Sequence, residues 1–87
     1  MKVQVLYFGY IREKIGIGEE SFEIGGNLAD LIREVQRKHS GLIELVEGIL
    51  TGKSDVALAV NTNISKDLSY IVKDMDEIAF IPPISGG

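Results

Sequence analysis

Residues 2–8, Lys2-Val3-Gln4-Val5-Leu6-Tyr7-Phe8, are rich in β-branched and aromatic side chains, the pattern of a β-strand. Val3, Val5 and Tyr7 fall on one face and Gln4, Leu6 and Phe8 on the other. Gln4 is the one polar residue among these six, so the strand reads as covered on much of both faces and central in its sheet. Residues 10–15 predict one helical turn before Gly16 and Gly18 break it, and Ser21–Ile24 a second strand closed by Gly25-Gly26. The clearest helix follows: Asn27 is a good N-cap, Asp30 puts negative charge in the first turn, and Leu28, Leu31, Ile32 and Val35 form one apolar stripe. Lys38 and His39 suit the negative end of that helix, and Gly41 is the expected stop. Leu42, Leu45, Val46 and Ile49 predict a shorter helix. Val56–Val60 is a strand, Asn61-Thr62-Asn63 a turn that tolerates positive φ, and Ile64–Leu68 a short edge segment. The last strand, Glu77–Ile81, follows the turn Lys73-Asp74-Met75-Asp76.

The order is β-β-α-β-β with an extra short helix before the third strand. A first and a last strand that both read as central fit a mixed sheet whose terminal strands pair in the middle, covered by one main helix. That is an α+β, β-grasp (ubiquitin-like) architecture, and a fold alone does not give a function. Residues 1–81 read as the domain and residues 82–87 as a flexible tail ending in Gly86-Gly87.

Composition narrows the class of function. The 87 residues are 45% hydrophobic and 25% charged, enough apolar content for one folded core rather than a disordered chain. The formal charge of −4 argues against nucleic acid, whose binding rests on Lys and Arg against phosphate. There is no cysteine, which removes disulfides, thiolate nucleophiles and cysteine metal sites together. The start shows no secretory signal pattern and no segment approaches the roughly 20 apolar residues of a membrane span. A cytoplasmic protein without membrane contact is expected.

Several stretches imitate active sites. Gly48-Ile49-Leu50-Thr51-Gly52-Lys53-Ser54 is one residue short of a phosphate-binding loop and leads into a strand where such a loop requires a helix. It reads as a turn. Gly16-Ile17-Gly18 has Ser21 where a dinucleotide fingerprint needs its third glycine. Asp74, Asp76 and Glu77 are three acids in a turn, expected to be solvated, and His39 is the sole histidine, better suited to a helix end than to a zinc site. No metal or cofactor bound by the chain itself is expected.

The final stretch, Phe80-Ile81-Pro82-Pro83-Ile84-Ser85-Gly86-Gly87, has a different chemistry. Pro82 and Pro83 cannot donate to a sheet ladder, so they stop the last strand, and in series they favour extended geometry. Ile84 is an apolar anchor and Ser85 is small. Gly86 and Gly87 carry no Cβ, so a narrow channel could admit them. The reactive group expected at the tip is the carboxylate of Gly87, a poor acyl donor until activated, as by adenylation. By composition alone two terminal glycines arise in roughly one chain in two hundred, so their weight comes from the residues before them.

With "VLYFGYIREKIG" near the start, "VALAVN" in the middle and "DEIAFIPPISGG" at the end, nearly the whole chain resembles the small, sulfur-carrier subunits of molybdopterin synthase. The resemblance implies that a ubiquitin-activating-type adenylyltransferase uses ATP to activate Gly87, which becomes a thiocarboxylate. The tail would then enter the large subunit and pass sulfur to a pterin precursor. Gly87 would carry the sulfur and Gly86 permit passage, with Phe80, Pro82, Pro83 and Ile84 as candidate docking residues around an exposed apolar patch. Arg12 matches the Arg-Glu pair of the family, without an assigned role. Where the family usually has a Gly-Asp pair in the turn before the last strand, the stretch "NTNISKDLSYIVKDMDE" has more side-chain bulk and no glycine. Two other readings use the same end: a sulfur carrier for thiazole synthesis, and a ubiquitin-like modifier joined to lysines through Gly87.

Overall fold

The computed structural model describes residues 1–83; Ile84, Ser85, Gly86 and Gly87 lie outside the described residues. The elements run β1 (Lys2–Tyr7), α1 (Gly9–Ile15), β2 (Glu19–Glu23), α2 (Leu28–Lys38), a 3₁₀ turn (Ser40–Leu42), α3 (Ile43–Thr51), β3 (Ala57–Val60), β4 (Asn63–Ser65) and β5 (Glu77–Ile81). The strands form one five-stranded sheet in the order β2-β1-β5-β3-β4. The parallel β1–β5 pair lies in its interior, and the other neighbours run antiparallel. This is the β-grasp arrangement expected from two apolar terminal strands.

The alternation of side chains decides which face is the core. Val5 and Tyr7 on β1 stand in register with Ile78 and Phe80 on β5, Phe80 with Leu58 on β3, and Val3 shares their face. All six are buried. Leu28, Leu31, Ile32 and Val35 of α2 and Val46 of α3 pack against this layer with no exposed surface. Burying a side chain of this size stabilises the fold by about 1.5–3 kcal/mol before entropy is counted. Asn27 caps α2 reciprocally: its side chain accepts from Asp30 N, and Asp30 accepts from Asn27 N. The backbone N–H groups of Leu28 and Ala29 donate to the carbonyls of Tyr70 and Leu68, so the loop before β5 closes the start of the helix.

Local expectations shift at element ends. The first helical segment spans the seven residues of α1 rather than one turn. β2 begins at Glu19, ahead of Ser21, and β4 covers only Asn63–Ser65. Gly41 does not stop α2; the helix ends at Lys38, His39 is its cap, and Gly41 lies inside the 3₁₀ turn. Asn61 and Thr62 take φ of 49° and 73°, the left-handed pair that closes a tight hairpin between β3 and β4.

Of the three acids at the turn into β5, Asp74 and Glu77 are exposed as expected, and Asp76 is not. Asp76 is 5% exposed and accepts hydrogen bonds from Asn61 Nδ2 (2.8 Å), Tyr70 Oη (2.7 Å) and the backbone N–H of Lys73 (2.8 Å). Burial pushes its carboxyl up, but the bonds from Asn61, Lys73 and Tyr70 outweigh that and hold it below the usual aspartate value. Its stabilisation is therefore fully present above the unfolded-state pKa of about 3.9 and is lost as pH falls through the lower folded value. Asp76→Asn should destabilise the domain by roughly 1–3 kcal/mol and flatten the acid limb of stability. Denaturant titrations at neutral and acid pH measure both effects.

Met75 occupies the place of the missing glycine with φ of 70° and a largely exposed side chain. Asp76 N donates to Lys73 O at 3.1 Å, closing a turn whose third position demands positive φ. The left-handed backbone costs a side-chain-bearing residue about 1–2 kcal/mol, partly offset because glycine loosens the unfolded chain by about 0.4–1 kcal/mol. Met75→Gly should accordingly raise stability by about 0.5–1 kcal/mol, seen as a higher urea midpoint with an unchanged slope.

Candidate functional site

The last strand delivers the chain to its end from the middle of the sheet. Ile81 is paired with Ala57 of β3, and β5 stops there, where Pro82 can no longer donate to the ladder. Pro82 is half-buried and Pro83 exposed. Ile84, Gly86 and Gly87, the expected anchor, spacer and reactive end, lie outside the described residues.

Phe80 requires a correction as a docking residue. It is fully buried, with its ring 5.8 Å from that of Tyr7. It shares the inward parity of Ile78, and the parallel pairing with Tyr7 places it over the helical layer. Its side chain belongs to the core.

The apolar surface beside the tail root is instead the sheet face that the helices leave uncovered. One row crosses four strands: Leu6 pairs with Ala79, Ala79 with Ala59, and Ala59 with Ile64. A second row holds Ile81 and Ala57. Leu6 and Ile81 are half-buried, the two central alanines sit low between their neighbours, and Ile64 is 61% exposed. Phe8, just past β1, is also exposed. The result is a shallow apolar floor beside the point where Pro82 leaves the sheet. Towards β2 the face turns polar, where Gln4 donates to Glu19 at 2.9 Å and accepts from Ser21 at 2.7 Å. Arg12 is exposed and its guanidinium lies over Gly18, where a Cβ would stand 3.1 Å from Cζ. Among the described residues Arg12 forms no ion pair.

Beneath the opposite face, Glu20 gathers the polar groups of the core. Its carboxylate accepts from Tyr7 Oη at 2.6 Å, lies 2.5 Å from His39 Nε2, and approaches Lys38 Nζ at 2.7 Å. Burial pushes the Glu20 carboxyl up; Lys38, Tyr7 and His39 together bring it below the usual glutamate value. Burial, with the adjacent carboxylate, drives the Tyr7 phenol far above its ordinary range. This cluster ties α2 and β2 to β1 beneath Phe80, and its polar tips face one another rather than an open cleft.

The other sequence candidates resolve into structure. Gly48 lies within α3, Gly52 caps it at φ of 77°, and the N–H groups of Lys53 and Ser54 both donate to Gly48 O. The amides that would cradle a phosphate are thus already occupied. Among the described residues no group of three His, Asp or Glu side chains could hold a metal ion. No helix among them is long and apolar enough to cross a membrane.

The β-grasp domain thus ends its central strand β5 at Ile81, beside a sheet face that is apolar and uncovered. The chain belongs to the ThiS family, which it matches over residues 5–87. It is 33% identical, over the full length of both chains, to the molybdopterin synthase sulfur carrier subunit of Chlamydomonas reinhardtii. Among solved structures it is similar to one chain of the complex of subunits 1 and 2 of the molybdopterin-converting factor from Helicobacter pylori, with 29% identity and a TM-score of 0.70 over all of this chain and all of that one. It is also similar to small archaeal modifier protein 1 of Methanosarcina acetivorans, with 26% identity and a TM-score of 0.75 over 99% of this chain and 96% of that one.

Proposed function

We propose that this chain is the sulfur-carrier subunit of a molybdopterin synthase, with Gly87 as the group that carries the sulfur. The observation that carries this reading is the family match through residue 87, which includes the Gly86-Gly87 end, joined to full-length identity with a sulfur carrier subunit. In the first step the Gly87 carboxylate attacks the α-phosphate of ATP on a ubiquitin-activating-type adenylyltransferase, and pyrophosphate leaves. A sulfur nucleophile then displaces AMP from the acyl-adenylate, giving a thiocarboxylate. The large subunit receives the tail, and the sulfur passes to the pterin precursor. The domain has no catalytic group of its own in this scheme; it binds, orients and holds out the acyl end, and it works in the cytoplasm.

The geometry supports a division of labour. The floor formed by Leu6, Ala57, Ala59, Ala79, Ile64 and Ile81 docks on the partner, with Pro82, Pro83 and Ile84 guiding the tail into its channel. Glycine at 86 and 87 allows protein backbone to close around the acyl carbon. Reconstitution tests the reading: the chain, its activating enzyme, ATP, a sulfur donor and the large subunit should convert precursor into the dithiolene product. Omission of ATP should stop the conversion. The likeness to an archaeal modifier supports a second reading, conjugation of Gly87 to lysines, which the same mixture would reveal as higher-mass protein adducts without dithiolene.

A further inference from the structure

Gly9 opens α1 immediately after β1, with φ of 54°. A Cβ placed there would stand 2.7 Å from Cγ of Pro82, 3.8 Å from its Cδ and 3.9 Å from its Cβ. The first distance is too short for carbon atoms in contact, so a side chain at position 9 and the present position of the Pro82 ring exclude each other. The same left-handed backbone occurs at Gly16 (φ 90°) and Gly52 (φ 77°), where a Cβ would meet nothing within 4 Å. Backbone conformation is thus shared by all three glycines, and the approach to Pro82 is peculiar to Gly9.

Pro82 has little freedom to yield. Ile81 before it is fixed in β5 by its pairing with Ala57, and Pro83 follows directly. Proline fixes its own φ and restricts the residue before it, so a push on the ring is passed along the chain rather than absorbed. Gly9 also lies next to Phe8, on the side where the uncovered face ends.

We propose that Gly9 is a positioning residue for the tail: its bare α-carbon is the seat of the Pro82 ring and sets the direction in which the chain leaves the domain at Pro82-Pro83. The proposal rests on the reading of Gly87 as the sulfur-bearing end. A partner that holds the sheet face and also receives the tail needs both in one geometry, and the gain from linking two contacts is lost when the connection points elsewhere.

The test compares Gly9→Ala with Gly16→Ala in the full chain. Both place an L-residue in a left-handed backbone, and Gly9→Ala adds the clash with Pro82, so it should lose more stability on thermal unfolding; transfer is compared at a temperature where both variants remain folded. Gly16→Ala should transfer sulfur like the wild type at saturating large subunit, whereas Gly9→Ala should slow on the order of tenfold. Adding Pro82→Ala, which removes Cγ and Cδ, should return Gly9→Ala to the rate of Pro82→Ala alone. Equal transfer by the two glycine variants, or no recovery in the double variant, would overturn the proposal. Nuclear Overhauser contacts between the Gly9 α-protons and the Pro82 ring in the wild-type chain test the seat independently of any activity. Their absence would also overturn it. Contacts present in a wild-type chain that transfers no sulfur would instead leave the seat standing and remove the sulfur-carrier reading.

Discussion

Phe80→Asp is expected to unfold the domain, while Ile64→Asp should leave it folded and weaken its docking. Truncating a buried phenylalanine costs about 3–5 kcal/mol, and a carboxylate left without a partner among apolar side chains adds several more. Small domains have about 5–15 kcal/mol in total, and this one keeps Phe80 wholly out of solvent between Tyr7 and Leu58. Ile64 stands on the other side of the sheet and is 61% exposed, so aspartate there meets water in the free protein. If the apolar floor is the docking surface, the change places a charge at its edge strand, and a hot-spot loss of about 2 kcal/mol corresponds to roughly thirtyfold weaker binding. Circular dichroism melts and titration calorimetry against the large subunit separate the two variants. A folded Phe80→Asp protein would contradict the core assignment, and full affinity in Ile64→Asp would remove this face from the interface.

The second large effect is expected at the far end of the tail. One alanine added after Gly87, or deletion of Gly87, should leave the thermal midpoint nearly unchanged, because the core of the described residues is complete between Val3 and Phe80 and changes outside such a core seldom shift stability by more than about 0.5 kcal/mol. Sulfur transfer should nevertheless collapse. An added residue moves the acyl carbon by up to about 3.5 Å, and a misplacement of about 1 Å already costs on the order of a hundredfold in a positioned reaction. A variant in which binding to the large subunit persists while transfer is lost would separate docking from chemistry. Undiminished transfer by the extended chain would contradict the role of Gly87.

The elements were legible where one local rule decided them. The near-continuous apolar runs in Lys2–Tyr7 and Glu77–Ile81 marked both central strands, although the helices cover only one face of them, and the Asn27 cap with the stripe Leu28, Leu31, Ile32 and Val35 marked α2 with its starting point. Element ends were less legible because tertiary partners set them: α2 stops ahead of Gly41, and His39 turns its ring to Glu20 on a distant strand. Nearness to the tail suggests Phe80 as a docking residue, but strand parity decides which side it takes. Ile78 and Phe80 alternate to one face and Ala79 and Ile81 to the other, so the strand pattern already contained the signal. Ile64 and Leu6 were harder to connect, since they become neighbours only through the order β1-β5-β3-β4. Asp76 looked like one of three surface acids because its partners Asn61 and Tyr70 come from separate turns. The contact between Gly9 and Pro82 had no signature at all, being a product of the parallel pairing of β1 with β5.

Intact mass of the C-terminal peptide tests the central claim most directly. The wild-type chain is incubated with its activating enzyme, ATP and a sulfur donor, digested, and the fragment containing Gly87 is weighed and sequenced. Replacement of one oxygen by sulfur, located on Gly87 and dependent on ATP, is the predicted result. A terminal peptide that keeps both oxygens throughout, with the activating enzyme shown to be competent on another carrier, would contradict it.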